Sequence, residues 1–387
     1  MNIVEHTNIN NDTAAVNNAA VRIIIAGGGT GGHIFPAIAI AKALQKINPA
    51  LELLFVGAKG KMEMDKIPEA GFKIKGIDIA GYNRSSLIKN ISLPYKLVQS
   101  FFQVRKILSS FKPHAVIGVG GYSSYPVLRL AQSRNIPTFI HEANSLGGKS
   151  NRLLAKNARK VFVAGEGMEK YFPASKIVIT GNPVRSILSE SVSKENAHRF
   201  FGLSPQKKTV FVLGGSLGAR SMNEVIAANA GVFKKNDLQL IWQTGKDFAA
   251  RAAAIEEENS NMWTNAFISD IENAYAAADV VIARAGAMSV AELCVVKKAV
   301  IFVPYPFAAE DHQTVNAMAL VNRGAARLVP DADVQSKLIP ELLRLIENES
   351  DVKELEKNIA ALGKHDADIV IAKEILENIN NNIGLHK

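Results

Sequence analysis

The chain has 387 residues, 48% of them hydrophobic, which indicates two domains with sizeable cores. Its single cysteine, Cys294, excludes an internal disulfide and a cysteine-rich zinc site, and no histidine spacing demands a metal. The formal net charge of +9 favours an anionic partner, but without zinc-finger, RNA-binding or aromatic–basic motifs no nucleic acid is expected.

Residues 1–20 contain neither lysine nor arginine and no apolar run, so they do not resemble a signal peptide. They are rich in asparagine, and we predict a disordered N-terminal tail. No stretch of the chain approaches the roughly 18 consecutive apolar residues of a membrane-spanning helix. The sequence therefore predicts a cytosolic or peripheral protein.

Short apolar runs alternate with helical segments from residue 21 onwards. Nine of these runs predict strands: Arg22–Ala26, Leu53–Val56, Ala115–Val119, Thr138–His141, Lys160–Val163, Thr209–Leu213, Leu238–Trp242, Val280–Ala283 and Ala299–Val303. The alternation predicts an α/β fold of parallel sheets flanked by helices. Because two series open alike, with a strand, a glycine-rich turn and a helix, we expect two Rossmann-like domains, residues 21–185 and 186–366, facing each other across a cleft.

The first glycine-rich turn lies in the stretch VRIIIAGGGTGGHIFP, residues 21–36. Gly27, Gly29 and Gly32 have the G-x-G-x-x-G spacing of a dinucleotide fold. Such a fold also needs an acidic residue at the end of the next strand, and the nearest ones, Glu63 and Asp65, lie beyond the following turn. The pattern is therefore incomplete for NAD, and a Walker A loop is excluded because a histidine stands at the lysine position.

That histidine, His33, lies at the predicted start of a helix. A helix N-terminus disfavours the charged imidazolium, so a neutral ring facing the cleft can accept a proton from an attacking hydroxyl. The alternative is a histidine that only caps or packs the helix. Position alone leaves both interpretations open.

Four further loops follow predicted strands. The sequences GVGGYSSYP (118–126), LGGSLGAR (213–220) and ARAGAMSVAEL (283–293) each present backbone N–H groups before a helix, as phosphate sites do. A fourth, ANSLGGKS (143–150), approaches the P-loop pattern, but no second strand ends in a convincing magnesium-binding aspartate. Each loop alone is compatible with a simple tight turn, whereas several together favour phosphate-bearing ligands.

A basic amphipathic segment occupies residues 85–112. Its apolar and basic side chains recur at helical spacing, which is typical either of a helix packed on a sheet or of a helix lying on an anionic membrane. The candidate membrane-binding residues are Leu93, Lys96, Leu97, Phe101, Phe102 and Arg105.

Six ordered motifs resemble one known family. They are AGGGTGGHIFPAIAIAKAL, GVGGYSSYP, HEANSLGGKSNRLLAK, GNPVR, LGGSLGAR and RAGAMSVAEL. From about Val21 to the C-terminal helix, the chain resembles the MurG family of bacterial peptidoglycan N-acetylglucosaminyltransferases. The resemblance implies a GT-B fold, UDP-N-acetylglucosamine (UDP-GlcNAc) as donor, and the C4 hydroxyl of the muramic sugar in lipid I as acceptor, with inversion to give lipid II.

The same resemblance implies a peripheral protein on the cytoplasmic face of the inner membrane, with an anionic membrane surface and other cell-wall synthesis proteins as its candidate partners. No cofactor is implied as required, and a role for a divalent ion stays open. In this family the last helix, here about residues 367–381, packs back on the N-terminal domain.

The resemblance also implies the site residues, with His33 as the proposed base. The donor-binding positions are Thr30, Gly31, Gly32, Asn144, Arg185, Ser216, Ile268, Ala287, Met288, Ser289, Val290, Ala291, Glu292 and Gln313. Gly120, Gly121, Tyr122 and Ser123 are expected near the acceptor pyrophosphate. The remaining alternatives are another GT-B sugar transferase and a nucleotide-sugar sensor that binds the donor without turning it over.

Overall fold

The structure is a computed structural model that describes residues 21–81, 93–184, 188, 192–215 and 218–384. Its strands are β1 Arg22–Ala26, β2 Glu52–Ala58, β3 Ile74–Ile77, β4 Ala115–Gly118, β5 Thr138–Glu142, β6 Lys160–Val163, β7 Ile177–Ile179, β8 Lys208–Leu213, β9 Leu238–Gln243, β10 Met262–Asn265, β11 Val280–Ala283, β12 Ala299–Phe302 and β13 Arg327–Leu328. The N-terminal residues 1–20, predicted as a disordered tail, lie outside the described residues.

Helices connect nearly all of these strands. They are α1 Gly31–Ile47, α2 Glu63–Glu69, α3 Leu93–Phe111, α4 Ser124–Ser133, α5 Lys149–Ala155, α6 Lys194–Phe200, α7 Arg220–Ala228, α8 Ala230–Lys235, α9 Ala249–Glu257, α10 Ile271–Ala277, α11 Ala287–Val296, α12 His312–Val321, α13 Val334–Glu347, α14 Glu349–Ala360 and α15 Ala367–Gly384.

The first seven strands form one parallel sheet in the order β3-β2-β1-β4-β5-β6-β7. In β1, Ile23 and Ile25 join one buried cluster, while Ile24 joins another on the opposite side. Successive side chains of a strand point to opposite faces, so helices on both faces require a continuous apolar run. This is why β1 reads as an unbroken hydrophobic segment.

The remaining strands form a second parallel sheet in the order β10-β9-β8-β11-β12-β13. Each sheet reverses its strand order next to its first strand, between β1 and β4 and between β8 and β11. Open α/β sheets bind ligands at such switch points, beyond the carboxyl ends of the strands. The predicted α/β class with two Rossmann-like units is confirmed.

The last helix leaves the second sheet and returns to the first. Ile371, Ala372, Ile375 and Ile379 of α15 are buried in the same cluster as Ile23, and α15 packs against α1. The two sheets are therefore linked by two passages of the chain. The exact domain limits at residues 185 and 366 stay predictions.

Candidate active site

The two glycine loops of the first sheet pack directly on each other. They follow the neighbouring strands β1 and β4. A Cβ on Gly121 would overlap the carbonyl oxygen of Gly28, and a Cβ on Gly27 would lie 2.5 Å from the carbonyl oxygen of Gly120. Only residues without a side chain allow this approach, and Gly121 also has a left-handed φ of +80°. The loops thus form a single surface at the switch point.

His33 lies in the first turn of α1, against this surface. Its ring packs on Gly120, where an added Cβ would come within 2.8 Å of Nε2. Nδ1 lies 3.1 Å from the carbonyl oxygen of Gly28 and 3.4 Å from Thr30 Oγ1. Since a carbonyl can only accept, Nδ1 carries the proton of the neutral ring and donates it to Gly28. Nε2 is therefore the nitrogen that can accept a proton.

Burial lowers the pKa of His33 below its usual value of 6.5, which favours the neutral ring at neutral pH. Glu142 and Glu63 act in the opposite direction through their negative charge, and His312 adds to the lowering. Since His312 belongs to the second sheet's unit, His33 faces the cleft between the two units. Its environment fits a general base better than a surface cap.

A buried glutamate supports the first loop. Glu63 is 1% exposed, and its two carboxyl oxygens accept from the backbone N–H groups of Gly29 and Ala58, both at 2.9 Å. Glu63, which the sequence places beyond the turn after β2, therefore bonds the backbone of the loop itself. No local pattern predicts this contact, because Glu63 reaches back to the loop only after the turn that follows β2.

The loop after β5 is arranged around a second buried carboxylate, Glu142. It accepts from the backbone N–H groups of Asn144 and Gly148 at 3.1 and 2.9 Å, and from the Asn151 side chain at 2.9 Å. The Asn144 side chain also donates to it, at 3.3 Å. The P-loop-like segment is thus held by an internal acid, which leaves its Gly148 N–H unavailable to a phosphate.

Two asparagines connect this loop with the second sheet's unit. Asn316 of α12 accepts from the backbone N–H of Ser145 at 2.9 Å, and its amide donates to Asn144 and to the carbonyl oxygen of Ala285. Asn182 donates to the carbonyl oxygen of Ala143 at 2.8 Å and contacts that of Ala287 at 3.5 Å. Both asparagines are buried, so these bonds fix the loop beside the start of α11.

Helix α11 carries six of the expected donor positions, Ala287 to Glu292. Gly286 is its N-cap in an extended conformation, which directs the first N–H groups of the helix to the switch point of the second sheet. Glu292 is only 6% exposed, and Tyr275 donates to its Oε2 at 3.2 Å. Glu292 is therefore a buried residue of α11 and does not lie on the surface of the helix.

Two other expected donor positions have local partners. Gln313 accepts from the backbone N–H of Tyr305 at 2.9 Å, which closes the loop between β12 and α12. The backbone N–H of Ile268 donates to the side chain of Gln243 at 2.9 Å, so this N–H already has a partner within the protein. Arg185 and Ser216 lie outside the described residues.

The expected acceptor loop leads into α4. Ser123 is its N-cap and is 1% exposed. The Tyr122 ring lies against Gly81 and near Gly29, and burial, together with the charge of Glu63, raises the pKa of its hydroxyl. Within the described part of the chain, no group of three or more His, Cys, Asp or Glu side chains could hold a metal ion.

The amphipathic segment divides into two faces on α3. Val104, Ile107 and Leu108 are buried against the sheet, as in an ordinary packed helix. Four apolar side chains point outwards and define the α3 patch: Tyr95, Leu97, Val98 and Phe102, which are 71, 38, 56 and 68% exposed. Leu93, Lys96 and Phe101 are half-buried, and Arg105 is exposed. No described helix is both long and apolar enough to cross a bilayer.

Both parallel-sheet units match known family models, and the chain is similar over most of its length to curated relatives and to a solved structure. The family model "Glycosyltransferase family 28 N-terminal domain" matches residues 23–163, and "Glycosyltransferase family 28 C-terminal domain" matches residues 209–371. This chain belongs to glycosyltransferase family 28. The first match falls on strands of the first sheet of this family 28 chain, and the second match falls on strands of the second sheet.

Curated relatives of this family 28 chain carry the name UDP-N-acetylglucosamine–N-acetylmuramyl-(pentapeptide) pyrophosphoryl-undecaprenol N-acetylglucosamine transferase. The Bacteroides fragilis relative is 49% identical over 92% of this chain and 96% of its own length. The Cytophaga hutchinsonii relative is 46% identical over 93% of this chain and 97% of its own length. A crystal structure of Acinetobacter baumannii MurG, 27% identical, superposes with a TM-score of 0.76 over 92% of this chain and 99% of its own.

Proposed function

We propose that this family 28 chain is an inverting N-acetylglucosaminyltransferase. It transfers N-acetylglucosamine from UDP-GlcNAc to the C4 hydroxyl of the muramic sugar in lipid I and so produces lipid II. The names of relatives at 49% identity over nearly their full length support this substrate pair. The catalytic part of the proposal rests on His33, because its pKa is lowered and the Gly28 carbonyl oxygen fixes its tautomer.

The chemistry is one in-line displacement at the sugar C1. The acceptor C4 hydroxyl loses its proton to Nε2 of His33 as its oxygen bonds to C1, and the bond from C1 to the diphosphate oxygen breaks. UDP leaves with both electrons of that bond. Displacement from the opposite side inverts the configuration at C1. The resulting imidazolium is stabilised by the nearby charges of Glu142 and Glu63.

The second sheet's unit supplies the donor site in this proposal. The N-terminus of α11 offers backbone N–H groups and a positive dipole end to the diphosphate as its negative charge grows. Glu292 accepts from the ribose hydroxyls, and Gln313 and Asn144 contact the sugar. Arg185, Ser216 and the Ile268 backbone complete the assignment, and none of these contacts requires a metal.

The first sheet's unit takes the acceptor. Thr30, Gly31 and Gly32, which the resemblance assigns to the donor, lie at the start of α1 beside His33, where the donor sugar and the muramic hydroxyl must meet. The acceptor diphosphate is assigned to Gly120–Ser123, before α4. The α3 patch, with Lys96 and Arg105 beside it, lies on the cytoplasmic face of an anionic inner membrane, which makes the protein peripheral.

Incubation of the purified protein with radiolabelled UDP-GlcNAc and a lipid I analogue tests this function. We expect a labelled β-1,4-linked disaccharide lipid and release of UDP. Omission of either substrate is the control. Tight donor binding without any transfer would support the sensor instead, and transfer to other acceptors but not to the lipid I analogue would indicate a different sugar transferase.

A further inference from the structure

The segment that precedes α12 contacts the first unit through Glu310. Its carboxyl oxygens lie 3.4 Å from Nζ of Lys149 and 3.2 Å from the guanidinium of Arg152, both on α5. Lys149 and Arg152 are three positions apart on this helix, so both face the same carboxylate. The side chains of Glu310 and Arg152 are 29 and 37% exposed, whereas that of Lys149 is 80% exposed. The pair with Arg152 is therefore the less screened of the two.

The backbone at this contact has an uncommon conformation. Glu310 and Asp311 have φ of +56° and +53°, left-handed values that are unfavourable for residues with a side chain. Asp311 accepts from the Thr314 hydroxyl at 2.7 Å, a bond within its own segment. The ion-pair partners of Glu310 lie on the other unit. Because such a conformation persists where its surroundings hold it, the first unit helps to set the shape of this segment.

The same segment leads directly to a sugar contact of the proposed function. Gln313 lies three residues after Glu310 and accepts from the backbone N–H of Tyr305, so the two ends of the loop between β12 and α12 are joined. In the first unit, the loop that contains Asn144 leads into α5, whose Arg152 pairs with Glu310. The ion pair therefore lies where the two walls that carry Gln313 and Asn144 meet.

A second ion pair between the units offers a comparison. Arg323, which follows α12, lies 3.1 Å from Glu166 of the first unit, and these side chains are 49 and 77% exposed. Helix α12 has 10 residues and is thus about 15 Å long, so the two ion pairs are well separated. Of the two ends of α12, the one beside Glu310 carries Gln313.

We propose that Glu310 is a positioning residue for the donor sugar, because its ion pair with Arg152 joins the two walls of the cleft beside Gln313 and Asn144. The proposal rests on the proposed function, which places the N-acetylglucosamine between these walls and the diphosphate at the start of α11. Loss of the ion pair lets the walls separate at this edge. The protein then binds the sugar part of the donor more weakly and the UDP part as before.

Calorimetry with the full chain compares UDP-GlcNAc with UDP. Glu310→Gln removes the charge and keeps the shape of the side chain, whereas Glu310→Arg places a like charge opposite Arg152. Combination of Glu310→Arg with Arg152→Glu restores an ion pair in the reverse direction. The matched control is Glu166→Gln, which removes the ion pair at the other end of α12. Circular dichroism melting confirms that each variant is folded.

We expect Glu310→Gln to bind UDP-GlcNAc about three- to tenfold more weakly than the wild type, and to bind UDP within about twofold of it. Glu310→Arg should lose more affinity for UDP-GlcNAc, because like charges repel. Addition of Arg152→Glu should recover at least about half of that loss, as expected of two residues in contact. Glu166→Gln should bind both ligands like the wild type.

Unchanged UDP-GlcNAc affinity in Glu310→Gln would overturn the proposal, as would an equal loss of affinity for UDP. An equal effect of Glu166→Gln, or a folded double variant that binds no better than Glu310→Arg, would also overturn it. Because these measurements need no turnover, they are separate from the transfer assay, whose failure with the wild type would instead overturn the proposed function.

Discussion

At the scale of single residues, the site depends on how His33 is held. The Gly28 carbonyl fixes which ring nitrogen carries the proton, and burial keeps the ring neutral. The position of a histidine after a glycine loop is visible in the sequence. Its tautomer is not, because it depends on a loop carbonyl whose direction is set by the contact with Gly121 on another strand's loop.

Replacement of His33 by alanine removes the proposed base. We expect kcat to fall by about 10²- to 10⁴-fold, the range typical of a lost general base, with the dissociation constant of UDP-GlcNAc nearly unchanged. Steady-state kinetics and calorimetry measure the two quantities. His365→Ala, at an exposed histidine, is the control and should leave both unchanged. Near-normal turnover of His33→Ala would remove His33 from the role.

The pH dependence of kcat/KM follows from the same histidine. In the proposed mechanism the neutral ring is the active form, so we expect activity to fall as the pH drops through the pKa of His33, which lies below 6.5. Glu142 and Glu63 oppose this lowering and His312 adds to it, whereas His141 stays neutral because burial lowers its pKa to about 4. We expect the midpoint of the acid limb below pH 6.5, and a midpoint well above it would contradict the assignment.

At the scale of elements, the sequence predicts the central strands of both sheets but not their edge strands. All nine predicted strands are present. The four that were not predicted are β3, β7, β10 and β13, which are the edge strands of the two sheets. An edge strand needs less apolar surface, and β7 and β10 are partly exposed, so neither forms a continuous buried run.

The same limit applies to the site. Glycine loops are local patterns, and the sequence shows them directly. Asn316 and Asn182 act on a loop from distant parts of the chain, and Ser145 and Asn316 are 171 positions apart in the sequence. Their role follows only from the packing of the two units. A single sequence shows local patterns, and no local pattern indicates this contact.

Removal of the Asn316 side chain should weaken the donor site. Asn316→Ala loses its bonds to Ser145, Asn144 and Ala285, which hold the loop after β5 beside α11. At about 0.5–1.5 kcal/mol for a hydrogen bond, we expect the KM for UDP-GlcNAc to rise roughly 2- to 12-fold. Asn358→Ala, which loses a bond within one unit, is the control. An unchanged KM for Asn316→Ala would argue against this support.

The proposed contact of the α3 patch with a membrane is open to a direct test. Val98→Asp combined with Phe102→Asp replaces two exposed apolar side chains, each worth about 1.5–3 kcal/mol when fully buried. We expect co-sedimentation with anionic vesicles to fall at least tenfold. Phe200→Asp, at a phenylalanine of the second unit that is 53% exposed, is the control. Equal vesicle binding by the double variant and the wild type would contradict the proposed membrane face.

At the scale of the whole molecule, the C-terminal helix belongs to the core of the first unit. Ile375 of α15 is fully buried there together with Ile23 and Ile40. The final segment of the chain therefore stabilises the first unit, although the whole second unit lies between the two in the sequence. The resemblance implied this return of the chain, and the apolar spacing of the helix alone does not say which sheet it covers.

Truncation of Ile375 measures that contribution. We expect Ile375→Ala to lower the free energy of unfolding by about 2–5 kcal/mol, the usual range for an isoleucine truncated to alanine in a core. Lys373→Ala, at an exposed position of the same helix, is the control. Urea denaturation followed by circular dichroism gives both values. A loss below about 1 kcal/mol would mean that α15 is not part of this core.

The two passages of the chain between the units also touch each other. Gly181, at the end of the first unit, has a left-handed φ of +78°, and a Cβ there would lie 2.6 Å from Cβ of Lys364, which follows α14. The two connections therefore adjoin at one point, which a residue without a side chain at position 181 allows. We expect any rotation of one unit relative to the other to turn about this shared point.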